Sequence, residues 1–158
     1  MSTKNKKVII PIIFIEPDKE VSFVVPGKPF GKQRPRMSRR GKFVTTYTPM
    51  ETVEYENLVK LSYYNSAGDT KLKGAIKAQI KGVFPIPSST SNKQKEKMIS
   101  GEIKYTKKID CDNMAKCVLD ALNNIAYDDD SQVYDLKVTK EYGEFPRVEI
   151  TLKEDNIY

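Results

Sequence analysis

Apolar and polar positions alternate most cleanly between Ala75 and Phe84. Ile76, Ala78, Ile80, Gly82 and Phe84 fall on one side and Lys77, Gln79 and Lys81 on the other, the period of a half-buried strand. Val21–Val25 repeats the pattern, with Val21, Phe23 and Val25 set against Ser22 and Val24. Gln132–Tyr142 puts Tyr134, Leu136, Val138 and Tyr142 on one side, and Arg147–Lys153 turns Val148, Ile150 and Leu152 inward. These last two strands read as a hairpin closed through Tyr142–Pro146. A helical period recurs three times. Thr52–Tyr64, opened by Pro49 and Glu51, carries a stripe of Val53, Leu58, Leu61 and Tyr64, with Tyr55 nearby. Asn92–Ile99 is a short charged helix with Ser91 as its N-cap. A central helix opens at Cys111 or Asp112 and runs to about Ala126, burying Met114, Ala115, Val118, Leu119, Leu122 and Ile125. Thr45–Thr48 is a short extended piece, and Asn65–Leu72 a loop. The order predicts an α+β fold: a single two-layer domain over residues 1–158, with a mixed β-sheet and helices packed on one face.

The first twenty residues read as an N-terminal arm or edge strand. Lys4, Lys6 and Lys7 precede an apolar run from Val8 to Ile15, which contains Pro11. Glu16, Pro17 and Asp18 follow it, where a signal peptide would carry a small-residue cleavage site. No stretch approaches the ~20 apolar residues that span a bilayer, so no membrane partner is expected. Cys111 and Cys117 lie six apart on one helix, a poor disulfide geometry, which favours a reducing cytoplasm.

Composition then narrows the chemistry. The 158 residues include no histidine and only two cysteines. That excludes a Ser-His-Asp or Cys-His unit, an imidazole base, and a His-containing or all-Cys zinc site within one chain. Catalysis would have to run on carboxylates, Lys or Arg, hydroxyls, or a hard metal held by oxygen. The net charge of +6 is concentrated. Between Val21 and Met50 lie Lys28, Lys32, Arg34, Arg36, Arg39, Arg40 and Lys42, with no Asp or Glu among them. The core of this window, residues 26–43, is a basic loop broken by Pro26, Gly27, Pro29, Gly31, Pro35 and Gly41. Phe30 and Phe43 are interleaved. Such a loop suits a polyanion, with nucleic acid the commonest one; a solvated flexible loop is the bland alternative.

Acidic charge is clustered too. Six aspartates fall between Asp110 and Asp130, namely Asp110, Asp112, Asp120, Asp128, Asp129 and Asp130, with Lys116 as the only cation. Asp110 and Asp112 flank the positive end of a helix dipole. Asp112, Lys116 and Asp120 are spaced along one polar stripe. The Asp128–Asp130 turn leads into a strand that could return beside the helix and deliver a third carboxylate to the pair. Two or three carboxylates suit Mg²⁺, which would draw the acidic patch and a phosphate together. The bland readings are an N-cap with a surface ion pair for Asp112 and solvated positions for Asp120 and Asp128. A calcium EF-hand is disfavoured: counted from Asp110, position six is Ala115 and position twelve Ala121.

The stretch Lys108-Ile109-Asp110-Cys111-Asp112-Asn113-Met114-Ala115-Lys116, then Leu119-Asp120-Ala121-Leu122, then Asp129-Asp130-Ser131-Gln132-Val133 and Lys140, resembles the RusA-type Holliday-junction resolvases. Val25–Pro29, Arg34-Pro35-Arg36 and Tyr47-Thr48-Pro49 are similar to members of the same family, so the likeness covers most of Val21–Leu152. The resemblance implies a bacterial, in some cases prophage-encoded, homodimeric endodeoxyribonuclease. It implies binding of branched DNA, the four-way junction, by shape, and paired nicks made with Mg²⁺ or Mn²⁺. It carries metal binding onto Asp110, Asp112 and Asp130, with Asp129 in place of Asp130 if the register shifts by one, and catalytic importance onto Lys116. Cys111 stands where the family has an aliphatic residue. The other classes left open are a non-catalytic structure-selective DNA-binding protein and a fork or flap nuclease of the same chemistry.

Overall fold

A computed structural model describes Pro11 and residues 18–156. The arm expected over Val8–Ile15 lies, apart from Pro11, outside them. The elements in order are β1 (Glu20–Pro26), β2 (Arg36–Arg40), β3 (Phe43–Tyr47), α1 (Met50–Ala67), β4 (Ile76–Pro85), α2 (Asn92–Ile99), α3 (Cys111–Ala121), a 3-10 turn (Asp130–Gln132), β5 (Val133–Gly143) and β6 (Arg147–Glu154). Among the described residues the main sheet is mixed, in the order β1-β6-β4-β5, with β4–β5 parallel and the other pairs antiparallel. One hydrophobic core joins Phe23, Val59, Tyr63, Ile80, Phe84, Val118, Leu122 and Ile150. The α+β two-layer expectation holds.

The expected hairpin between the last two strands does not form. β5 and β6 flank β4 on opposite sides. β4 is the most buried strand, and its ladder is satisfied only when both edges are paired. The link 144–146 therefore crosses the end of β4, a span of ~9.6 Å at the usual strand spacing, within reach of three residues. Gly143 begins that crossing against the side chain of Val83, where a Cβ would collide.

Three further readings are corrected. α1 continues through Ala67 to Gly68, whose φ of +56° suits glycine. Its buried residues are Thr52, Tyr55, Val59, Ser62 and Tyr63, while Val53, Leu61 and Tyr64 stay exposed. The apolar stripe thus misplaced the face: large tyrosines do the filling, and Ser62 returns its hydroxyl to the Leu58 carbonyl at 2.8 Å. α3 stops at Ala121, five residues early, because the Asn123-Asn124 pair turns the chain, with Asn124 at φ +62°. Ile125 is consequently only partly buried. In β5, the register shifts at its start and Tyr134 hydrogen-bonds Asp155 beside Lys77; Leu136 is also exposed and Val138 only partly buried, so that Tyr142 is the buried member of the expected face.

The basic loop contains the largest surprise. Its second half is a two-stranded ribbon, β2 paired antiparallel with β3 and turned at Gly41, whose φ is +61°. Every residue of both strands is exposed. The sequence pattern predicts only an extended piece at Thr45–Thr48, whereas the strands run over Arg36–Arg40 and Phe43–Tyr47. Among the described residues, no helix is long and apolar enough to cross a membrane.

Candidate active site on the central helix

α3 is amphipathic, burying Met114, Ala115, Cys117, Val118, Leu119 and Ala121 and leaving Asp112 and Lys116 exposed. Burial pushes the Cys117 thiol up to about 12, so it is an inert core residue. At the N-terminal end, Asp110 is the N-cap in extended geometry, but its side chain makes no capping bond, so the carboxylate stays available. Asp112 follows in the first turn. Both face the positive end of the helix dipole.

The segment leading into this end is braced from three sides. Lys140 of β5 donates its Nζ to the Ile109 carbonyl at 2.9 Å and to the Lys107 carbonyl at 3.0 Å. The same ammonium sits 5.3 Å from the centre of the Tyr105 ring, which stacks on Phe84 at 3.8 Å. Tyr105 donates its hydroxyl to the Lys108 carbonyl at 2.6 Å. Gly31 passes directly against Ile109, where any Cβ would clash. Lys140 is thus a strut for the acidic pair, a role its position in the motif did not disclose.

The C-terminal end is built differently. Lys32 places its Nζ 2.6 Å from Asp120 and 3.3 Å from Glu56. Burial works against the Lys32 charge, but the hydrogen bond to Asp120 and the attraction of Glu56 outweigh it and raise its pKa. The carboxyl of Asp130 lies beside that of Asp120. Burial first, then that contact and the repulsion of Asp120 and Asp129, raise the Asp130 pKa. The backbone N–H of Asp130 donates to the Asn123 side chain at 2.8 Å. Asp129 is otherwise engaged: it caps the 3-10 turn, accepting from the Ser131 N–H at 3.2 Å, while the Gln132 side chain returns the bond. The Ser131 hydroxyl and N–H hold the Asp129 carboxyl below its ordinary pKa. Asp128 forms a surface ion pair with Lys71 at 2.5 Å, in keeping with its bland reading.

The expected convergence does not occur within one protomer. Asp110 and Asp120 are ten residues apart on the helix, hence ~15 Å at 1.5 Å per residue. Asp130 lies with Asp120, at the far end from Asp110 and Asp112. Among the described residues, no group of three or more His, Cys, Asp or Glu side chains could hold a metal ion. Lys116 sits on the stripe between the ends and, among those residues, forms no ion pair with Asp112 or Asp120.

Of the seven cations assigned to DNA, Lys28, Arg34, Arg36, Arg39, Arg40 and Lys42 are exposed and form no ion pair among the described residues. Lys32 is the exception, turned inward to the acidic cluster. The loop before the ribbon is anchored: Phe30 packs on Tyr55 at 5.2 Å, and Gln33 donates to Glu51 at 2.7 Å.

Residues 26–153 match the family model described as "Endodeoxyribonuclease RusA". The chain belongs to the RusA endodeoxyribonuclease family. It is also 40% identical, over 136 residues, to "Uncharacterized protein YqaN" of Bacillus subtilis (strain 168), covering 85% of this chain and 96% of that one. Membership in the RusA family sets the class of chemistry as endonucleolytic cleavage of DNA. Two members of this C-terminal cluster have no signal in the sequence. Asp120, a solvated position by its pattern, is paired with Lys32 and lies beside Asp130. Glu56 was not singled out at all. Both pair with Lys32, which reaches Asp120 from 88 residues away and so leaves no local signal.

Proposed function

We propose that the protein resolves four-way DNA junctions by paired, divalent-metal-dependent nicks, acting as a homodimer in the bacterial cytoplasm. The observation that carries this reading is the uncapped, exposed Asp110 with Asp112 at the dipole-positive end of α3, in a family of DNA endonucleases. Carboxylate oxygens are the hard donors that Mg²⁺ or Mn²⁺ takes. Asp110 and Asp112 would hold the ion, and Asp130 would complete the set from a second copy. Asp130 fits better than Asp129, whose carboxylate is occupied in capping the turn. Two copies of α3 related by a two-fold axis across the helix run antiparallel, so each N-terminal pair meets the partner's C-terminal end. A dimer of this kind carries two sites, matching a substrate that is itself two-fold symmetric.

Bound there, the cation supplies a Lewis acid toward the scissile phosphate and an acidified water. Lys116, one turn beyond Asp112, adds positive charge for the phosphate oxygens. Lys140 keeps the acidic pair in place by fixing the Lys107 and Ile109 carbonyls. The exposed arginines of the basic segment supply the affinity for the backbone.

The test is a nicking assay on a synthetic four-way junction with Mg²⁺, with Mn²⁺, and with chelator. Symmetric nicks that disappear with chelator are expected. The separation of the two acidic ends within one protomer favours a second reading, a non-catalytic junction-binding protein. Binding without nicks under every metal condition would select it, and stronger cleavage of forks or flaps would reassign the substrate.

A further inference from the structure

The β2–β3 ribbon has two distinct faces. Opposed residues of an antiparallel pair share a face, and the register sets Arg36 opposite Tyr47, Ser38 opposite Thr45 and Arg40 opposite Phe43. One face therefore carries two arginine–aromatic pairs. The other carries Met37 opposite Thr46 and Arg39 opposite Val44. Phe43 is 79% exposed and Tyr47 48% exposed, although burying such rings is ordinarily favourable. The two pairs stand four residues apart along β2, ~13 Å at the rise of a strand. No carboxylate lies anywhere between residues 21 and 50 to compete for the arginines.

We propose that this aromatic face of the ribbon takes exposed base faces at the branch point of the DNA, and so sets the preference for branched over linear substrate. The inference rests on the junction-cleaving reading above and names the element that discriminates. In a linear duplex the base faces are stacked on one another and closed to a protein ring. At a branch point that stacking is interrupted, and an aromatic side chain gains a partner there. Phe43 and Tyr47 supply the stacking surface, a sequence-tolerant contact. Arg36 and Arg40, beside them on the same face, hold the flanking phosphates. Met37 and Val44 on the opposite face have no π-surface to offer.

The experiment uses the full-length protein in chelator, with a synthetic four-way junction and a linear duplex of the same arm sequence. A 2-aminopurine at the branch point reports unstacking and ring contact. The F43S/Y47S double variant should lower the junction-to-duplex affinity ratio by about 10- to 100-fold, the scale of one or two base–aromatic contacts. It should also abolish the 2-aminopurine change while leaving duplex affinity as it was. M37S/V44T, equally exposed, should leave the ratio unchanged. A ratio within about twofold of wild type for F43S/Y47S would overturn the proposal, as would an equal loss from M37S/V44T. A wild-type protein without junction preference would overturn the underlying reading, and the inference with it.

Discussion

The two ends of α3 both carry carboxylates but manage their charge in opposite ways. At the N-terminal end, Asp110 and Asp112 face the partial positive charge of the dipole and have no side-chain cation on them among the described residues. At the C-terminal end, Asp120 and Asp130 sit against the partial negative charge and against each other. There the chain brings Lys32 in from 88 residues away and leaves Asp130 with a raised pKa. Among the described residues one end has no cation of the chain on its carboxylates, whereas the other is paired by the protein itself. Acidic clusters that look alike in sequence therefore differ in their surroundings: one receives a lysine from a distant part of the chain, and the other relies on the helix dipole.

The sharpest break in this comparison comes from neutralising the open end. Asp110→Asn or Asp112→Asn should cut junction cleavage by at least about 100-fold, the scale of losing one charge-stabilising group from a site. Binding measured in chelator should persist. Next in size, replacing Arg34, Arg36, Arg39 and Arg40 together by Ala should flatten the salt dependence of binding by about three to four units of log–log slope. An unchanged slope would mean that the ribbon does not meet phosphate.

Smaller effects sharpen the closed end. Lys32→Met leaves Asp120 and Glu56 unpaired and should cost about 1–2 kcal/mol of stability by chemical denaturation, less than a fully buried pair because Lys32 keeps some exposure. Its salt slope should match wild type, unlike that of the arginine variant. The smallest effect on stability is that of Asp130→Asn, which removes repulsion from Asp120 and should raise Tm by about 2 °C at neutral pH even as it abolishes cleavage. The sign follows from the pKa: a carboxyl raised in the fold is stabilised by its proton, so its charge costs stability above that pKa. A fall in Tm would show that Asp130 is held by attraction instead.

Local pattern carried much of this molecule. The period of Ile76–Phe84 and the Ser91 cap on Asn92–Ile99 are read from neighbours a few residues away, and each element lies within about a residue of its expected bounds. The D-x-D pair at a helix start was legible for the same reason. What was not legible depends on distant partners. The placement of β6 on the far side of β4 reflects β4's need for two neighbours, and a three-residue link looks the same in a hairpin. The ribbon was hidden because Gly and Pro signal breaks without saying that strands resume between them. The role of Lys32 needed the path of residues 27–33 between α1 and α3. The distance between Asp110 and Asp130 followed from α3's direction, which no motif spacing encodes.

If cleavage draws on both ends of α3 from two different copies, two inactive proteins can restore each other: the D110N/D112N variant and the D130N variant are mixed, and nicking of a four-way junction is measured with Mg²⁺. In a mixed dimer, one site would combine the intact N-terminal pair of one copy with the intact Asp130 of the other. Single-strand nicking should recover to about one quarter of the wild-type rate, since about half the dimers are mixed and each has one good site. Nicking that stays absent in the mixture, beside an active wild-type protein, would contradict it.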